Sequence, residues 1–232
     1  MESGPTPTTP KSPPMELLML SNALERLVAR NNQLTSQYST QAPSPSVDVK
    51  LNKKSFSLSA FMATRTPTIA LRRYLERIHR FADLDPACFI VAYVYIDRTV
   101  HIHPALIVVS MNVHRLMLAS LLLASKVLDD LHHNNAFFAR IGGISNFELN
   151  KLELELLFLL NFRLTVTSSD FQRYYSHMET EMSRTCVIEK NLKEDDDKRW
   201  PNGGLNQVSL TNGPRRHSMS PARHSFDGPS IN

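Results

Sequence analysis

Histidine, cysteine and carboxylate side chains are the first places to look for chemistry, and here their spacing supplies little. His101 and His103 lie two apart and His132-His133 are adjacent, but no Cys or carboxylate pair is placed to complete a four-ligand metal site. Asp129-Asp130 offers two carboxylates at what reads as the exposed end of a helix, not a positioned acid and base. Gly142-Gly143 alone cannot cradle a phosphate, and the chain has no P-loop pattern, no GxGxxG, no HExxH and no CxxC. The residues therefore point to no catalysis, no metal and no cofactor. What remains is the chemistry of a contact surface. Leu123, Lys126 and Val127 share a helical face at i, i+3, i+4, and Glu153 and Leu157 share another at i, i+4. A charge beside apolar side chains at a rim suits protein binding. On spacing alone the same charges read first as solvated residues at bundle edges.

Positioning such faces takes helices, and the composition supplies them. The chain has 232 residues, 42% hydrophobic and 21% charged, which suits one globular domain plus tails. All prolines except Pro86 and Pro104 fall within 1–67 or 201–232, and Gly142-Gly143 are the only glycines between Thr68 and Trp200. A sheet-rich domain would need more turn residues in its middle. The middle is predicted to be all-α. No apolar run approaches the roughly 18–20 residues needed to span a bilayer. Two cysteines, Cys88 and Cys186, make no disulfide scaffold and fit a reducing compartment. The net charge of +4 is mild and its basic residues are interspersed with acids, so no nucleic-acid-binding stripe is read.

Along the chain, residues 1–57 form a Pro/Ser/Thr-rich region with one amphipathic helix at 15–31, where Leu17, Leu20, Leu24, Leu27 and Val28 recur at helical spacing. Residues 58–182 carry the bundle. Thr66-Pro67 predicts a helix start, followed by a stripe of Leu71, Leu75, Ile78 and Ala82, with Arg72, Arg73, Glu76, Arg77 and Arg80 on the other side. Asp85-Pro86 opens a second helix to about Arg98, and Leu106 to Asp130 reads as a third, apolar on every side from Leu116 to Ser125. Asn135 to Ile141 is a short fourth. Ser145-Asn146-Phe147-Glu148 matches a capping box that opens the fifth. Another helix runs from Ser169-Asp170 to about Met182, and 183–232 read as a disordered tail.

Four segments, in order, resemble the cyclin box: Tyr95-Ile96-Asp97-Arg98, Leu123-Ala124-Ser125-Lys126, Gly143 to Asn150, and Asn161-Phe162-Arg163-Leu164, and two more, Val113-His114-Arg115 and Asn134 to Arg140, are similar to the plant U-type (P-type) cyclins, which are related to yeast phosphate-signalling cyclins. The resemblance implies a single five-helix cyclin box, since too little chain follows Leu164 for a second repeat. It implies a regulatory subunit that binds and activates a cyclin-dependent kinase, an A-type plant kinase, in cell division or phosphate and nutrient signalling. The family's kinase-contacting charged pair falls on Lys126 and Glu153, and its apolar contacts on Leu123, Val127, Leu157 and Phe162. Asp97 falls on the family's buried charge, but the aligned first-helix position holds Thr68 where the family has an Arg partner, so either Arg72, Arg73 or Arg98 substitutes or Asp97 is exposed. Thr99 departs from the Phe common after Asp-Arg. The resemblance implies no small-molecule substrate, no nucleic acid, no membrane, and an intracellular location in nucleus and/or cytoplasm. Two alternatives stay open: a transcription or nucleic-acid-binding module on the same fold, using the first-helix arginines, or a helical adaptor that binds a kinase without activating it. Ser/Thr-Pro dipeptides in the tails, Thr6, Thr9, Ser12, Ser44 and Ser220 among them, fit sites for a bound kinase.

Overall fold

The computed structural model describes residues 12–41, 59–130 and 133–199. Expectations that fall on 1–11, 42–58, 131–132 and 200–232, the disordered tails and most of their Ser/Thr-Pro sites among them, lie outside the described residues. Among those described there are seven helices and no strand: α1 (Met15–Gln41), α2 (Leu71–Ala82), α3 (Ala87–Ile102), α4 (Val113–Leu128), α5 (Asn135–Gly142), α6 (Asn146–Leu159) and α7 (Ser168–Arg199). The all-α expectation is met, and α2 to α6 are its five-helix bundle. One compact unit ends at Lys190, and the last turns of α7 belong to a second.

At the centre is α4, because no side of its apolar middle can face water. Leu116 to Ser125 are all buried, and α4 packs on α3, α5 and α6. Its two serines lie inside without penalty because each hydroxyl donates to a carbonyl of its own helix, Ser120 Oγ to Leu116 O at 2.8 Å and Ser125 Oγ to Leu122 O at 3.0 Å. Around this axis α2 packs on α5 through its Leu71, Tyr74, Leu75 and Ile78 stripe, and α1 covers α2 and α3 with Leu17, Leu20 and Leu24 fully buried. Burying each leucine contributes about 1.5–3 kcal/mol, which orders a helix that would be marginal alone.

Several boundaries differ from the sequence reading, each for a local reason. The first helix runs ten residues past Asn31 because polar side chains still find partners there: Asn31 Nδ2 donates to Val108 O at 2.9 Å and Asn32 Nδ2 to Ser110 Oγ at 2.7 Å. Thr66-Pro67 does not open α2. Residues 63–70 remain irregular, held by Ala63 N to Met111 O at 2.9 Å and by His114 Nε2 on Ile69 O at 3.0 Å. Likewise α4 starts at Val113 and not Leu106, because buried Asn112 folds the approach into a turn: its Oδ1 accepts from Val109 N at 2.9 Å and its Nδ2 donates to Ile107 O at 2.8 Å. The charged run after Met182, read as the start of a disordered tail, is helical to Arg199. No Gly or Pro interrupts Ser168 to Arg199, and Lys, Glu and Leu are strong helix formers. The cap at Ser145 forms as expected, its Oγ accepting from Glu148 N at 3.1 Å. The Glu148 carboxylate does not reach back to complete the box, because it pairs with Arg115 on α4.

Candidate functional site

The last turn of α4 and the middle of α6 meet at an edge of the bundle. There Lys126 Nζ lies 2.5 Å from Glu153 Oε1. The second Glu153 oxygen accepts from Asn135 Nδ2 at 2.6 Å, and the same amide donates to Asn150 Oδ1 at 2.8 Å. Three helices thus converge on one carboxylate. Their side chains are partly desolvated, 29% exposed for Lys126 and 15% for Glu153. The pair that sequence spacing left as two separate rim charges is one ion pair within the folded chain. Asn135 was not read as a site residue, and its only sequence signal is its place just after the Asn134 cap of α5.

The apolar surroundings divide in two. Val127 is 46% exposed beside an exposed Leu128, and Phe162 is 58% exposed. Leu157 is partly buried, packed against the core. Leu123 is not a surface residue: at 3% exposure it belongs to the core, because position 123 of an all-apolar helix turns inward while 126 and 127 reach the edge. Such burial does not fit its expected role as a direct contact. Phe158, exposed and unremarked in the sequence, stands edge-on to Phe162 with ring centroids 5.4 Å apart.

Phe162 is aimed by the way α6 ends. Phe162 N donates to Leu157 O at 2.9 Å and Asn161 N to Phe158 O at 3.0 Å, the paired bonds of a Schellman cap. Both Asn161 (φ 50°) and Phe162 (φ 57°) adopt the left-handed conformation. Asn tolerates it; a bulky Phe there is uncommon. That strain holds an aromatic ring outward next to Phe158.

The Tyr95-Ile96-Asp97-Arg98 segment does different work. Tyr95 OH donates to Leu164 O at 2.8 Å, and Arg98 reaches Thr165 O at 2.9 Å and Asp170 at 3.6 Å, so together they fasten the α6–α7 connector to α3. Asp97, for which a substitute Arg or exposure was expected, is 29% exposed and accepts from Tyr174 OH at 2.7 Å, with His101 Nδ1 at 3.4 Å. None of Arg72, Arg73 or Arg98 replaces the missing partner; a phenol on α7 does. Burial and this bond push the Tyr174 hydroxyl up to about 12, so it stays a donor. Thr99 is buried, and its hydroxyl donates back to Tyr95 O at 2.7 Å, which accounts for a small polar residue there.

The other candidates do not gather. Cys88 is buried against Asp129 with its thiol held well above the usual range, first by desolvation and then by the Asp129 and Asp85 charges. His103 Nε2 meets Leu159 O at 3.0 Å, and His133 stacks on Phe137. Among the described residues no group of three His, Cys, Asp or Glu side chains could hold a metal ion, and no helix is long and apolar enough to cross a membrane.

Residues 15–164 match the family model described as Cyclin. The chain is 48% identical over 193 residues to Cyclin-U1-1 of Arabidopsis thaliana, covering 82% of this chain and 84% of that protein. It is 46% identical over 172 residues to Cyclin-P1-1 of Oryza sativa subsp. japonica, covering 73% of this chain and 62% of that relative. A third similarity, to Cyclin-U4-1 of Arabidopsis thaliana, is 45% over 167 residues, 72% of this chain and 76% of the relative. With a single five-helix bundle, the ordered motifs and these relatives together, the chain belongs to the cyclin family, among the plant U-type and P-type cyclins.

Proposed function

We propose that this cyclin binds a cyclin-dependent protein kinase, of the A-type in plants, through the edge formed by α4 and α6, and activates it. Lys126 and Glu153 would meet the kinase's polar groups, and Val127, Leu157 and Phe162 would supply the apolar contact, with Leu123 beneath them. The observation that supports this reading most is the Lys126–Glu153 ion pair standing beside exposed Val127, Leu128, Phe158 and Phe162. A charge pair that is already assembled, oriented by Asn135 and edged by unpartnered apolar side chains has little left to order on binding. A flat or solvated face would not be built this way. The cyclin supplies no catalytic group in this scheme. It would hold the kinase's mobile helix where that helix's Glu pairs with the catalytic Lys, on which active-site order depends. Cell division, or phosphate and nutrient signalling, is the process this reading assigns, with residues 58–182 as the working domain and an intracellular location.

The test exchanges the charges. Lys126→Ala and Glu153→Ala should each weaken kinase affinity by at least about tenfold, because each leaves a partly desolvated charge without its partner. Lys126→Glu combined with Glu153→Lys should restore the internal pair and the melting temperature but not kinase activation. If the double swap activates the kinase normally, the pair is structural only and the binding surface lies elsewhere. If it binds the kinase without raising its activity, and the parent cyclin does the same, the chain is an adaptor.

A further inference from the structure

The outer face of α2 is another place where charge is concentrated, and among the described residues no ion pair engages its three exposed arginines. Leu71, Tyr74, Leu75, Ile78 and Ala82 turn inward. At about 100° per residue, Arg73, Arg77 and Arg80 fall together on the opposite side, with Phe81 at its border. All three arginines are exposed, and Phe81 is 58% exposed. Arg72 stands apart from them, since it pairs with Glu76 at 3.0 Å. Among the described residues Arg73, Arg77 and Arg80 form no ion pair. Arg73 and Arg77 are one turn apart, where like charges repel and cost about 0.2–0.5 kcal/mol. The face therefore costs the fold a little and returns no ion pair among the described residues.

We propose that this face docks an acidic peptide segment of a partner protein, whose carboxylates or phosphoserines meet Arg73, Arg77 and Arg80 while an apolar side chain beside them covers Phe81. The chemistry fits guanidinium groups, which present paired donors to carboxylate and phosphate oxygens. The spacing fits as well. At 1.5 Å of rise per residue, Arg73 and Arg80 are about 10 Å apart along the helix and Phe81 about 12 Å from Arg73. An extended peptide at about 3.3 Å per residue spans that distance in three to four residues. The recognised segment thus carries two anionic residues within about three positions, with an apolar residue next to the second.

A nucleic-acid strand suits the face less well. The basic stripe is one short helix long, Glu76 borders it, and exposed Asp83 and Asp85 follow directly on its end, in the path of any phosphate backbone that continued along it. A membrane surface would need more apolar area than one phenylalanine. Because the docking assay contains no kinase, it stands or falls separately from the proposed role of Lys126 and Glu153.

The test uses the full chain and fluorescence anisotropy with four probes: a short peptide carrying two phosphoserines three apart and a leucine next to the second, its glutamate counterpart, a single-stranded DNA of equal charge, and phosphatidylserine vesicles. Both peptides should bind, the phosphorylated one more tightly, with affinity falling as salt rises from about 50 to 150 mM. Arg73→Gln with Arg80→Gln should weaken peptide binding by about tenfold or more, and Phe81→Ser by a smaller factor, while Arg72→Gln should change it little. Circular dichroism should show all variants folded; the positions are exposed, so substitution leaves the core intact. Peptide affinity unchanged in the Arg73/Arg80 variant, tighter binding of the DNA or vesicle probe, or no peptide binding at low salt would each overturn the proposal.

Discussion

The α4–α6 edge and the outer face of α2 carry charge in opposite ways. At the edge, Lys126 and Glu153 are matched to each other, partly desolvated, fixed by Asn135 and supported by buried Leu123. On α2, three arginines are alike, exposed and free of ion pairs among the described residues. The first arrangement ties surface chemistry to the core, since the same helices that bury Leu121 and Leu156 also set the distance between the charges. The second is detachable: α2 would fold as well with other polar residues there. What differs is coupling to folding, and that difference predicts which substitutions change stability and which change binding alone.

The largest effect should come from beneath the edge. Leu123→Ala removes a fully packed side chain and should cost about 2–5 kcal/mol of stability, with loss of kinase binding as a consequence of disorder at Lys126. Denaturant melts and a kinase pull-down measure both. A Leu123→Ala protein of parental stability would mean that position 123 is not core and the division between support and contact is wrong. Next in size are Lys126→Ala and Glu153→Ala. A wholly exposed pair contributes about 0.2–1 kcal/mol, and breaking a buried one costs about 3–5. The partial exposure of this pair places the expected loss between them, about 1–2 kcal/mol. Glu155→Ala, at a half-buried position of α6 outside this pair, should fall below that. Equal losses at 153 and 155 would mean that pairing with Lys126 sets Glu153 apart in no way.

Much of this was legible beforehand. Periodicity located all the bundle helices because their apolar stripes are unambiguous, and α4 announced its central place by being apolar on every side. Spacing gave the faces of Lys126 and Glu153 but could not show that they touch. That contact depends on how α4 and α6 cross, a property of packing and not of either helix. Asn135 and Asn112 were missed for a related reason: an asparagine's role depends on which amides lie opposite it. At Asp97 the missing Arg partner was read correctly from Thr68. Its replacement by Tyr174 was not, because 77 residues separate the two and α7 has no strong stripe to place it. Boundaries failed where irregular segments are held by long-range hydrogen bonds or local turns, at 63–70 and 106–112.

A smaller effect should appear with pH, on the α2 side only. His114 Nε2 meets Ile69 O at 3.0 Å just before α2, while its Nδ1 is buried with no partner. Desolvation outweighs the Ile69 bond and lowers its pKa from 6.5. A lowered folded-state value means the neutral ring is the one the fold accepts. Its contribution is present above about pH 6.5 and is lost as pH falls through the folded value. Melting temperature should decline below pH 6.5, and hydrogen exchange should quicken at residues 66–71 before it does at the edge. His114→Gln, which can still donate to Ile69 O, should flatten that decline. Uniform loosening, or an unchanged pH profile in the variant, would count against local control at Ile69. On the α2 face itself, Arg77→Gln relieves the repulsion from Arg73 and should change stability by less than about 0.5 kcal/mol, in the stabilising direction.

The smallest expected change lies at the end of the edge, where Asn161 and Phe162 are both left-handed. Their roles differ although they are neighbours. Asn161 shapes the Schellman cap, and its side chain is exposed; Phe162 closes the cap through Leu157 O and presents its ring beside Phe158. Asn161→Gly keeps the backbone geometry at lower steric cost but frees the unfolded chain, and the two effects nearly cancel. The net should be about a few tenths of a kcal/mol, favourable, since glycine is the usual residue at this cap position. Kinase affinity should not move. Phe162→Gly relieves more strain, because a bulky residue in this conformation is uncommon, and it should leave stability near the parent value. It should nevertheless weaken kinase binding, because the exposed ring is gone. The pair of variants asks whether backbone strain at the edge serves the fold or the surface. If Phe162→Gly is destabilised by well over about 1 kcal/mol while retaining kinase affinity, the ring is a packing element of α6, a size of loss that exposed positions rarely show. The coupled edge would then end at Glu153 and Val127, and the aromatic pair would belong to the helix cap alone.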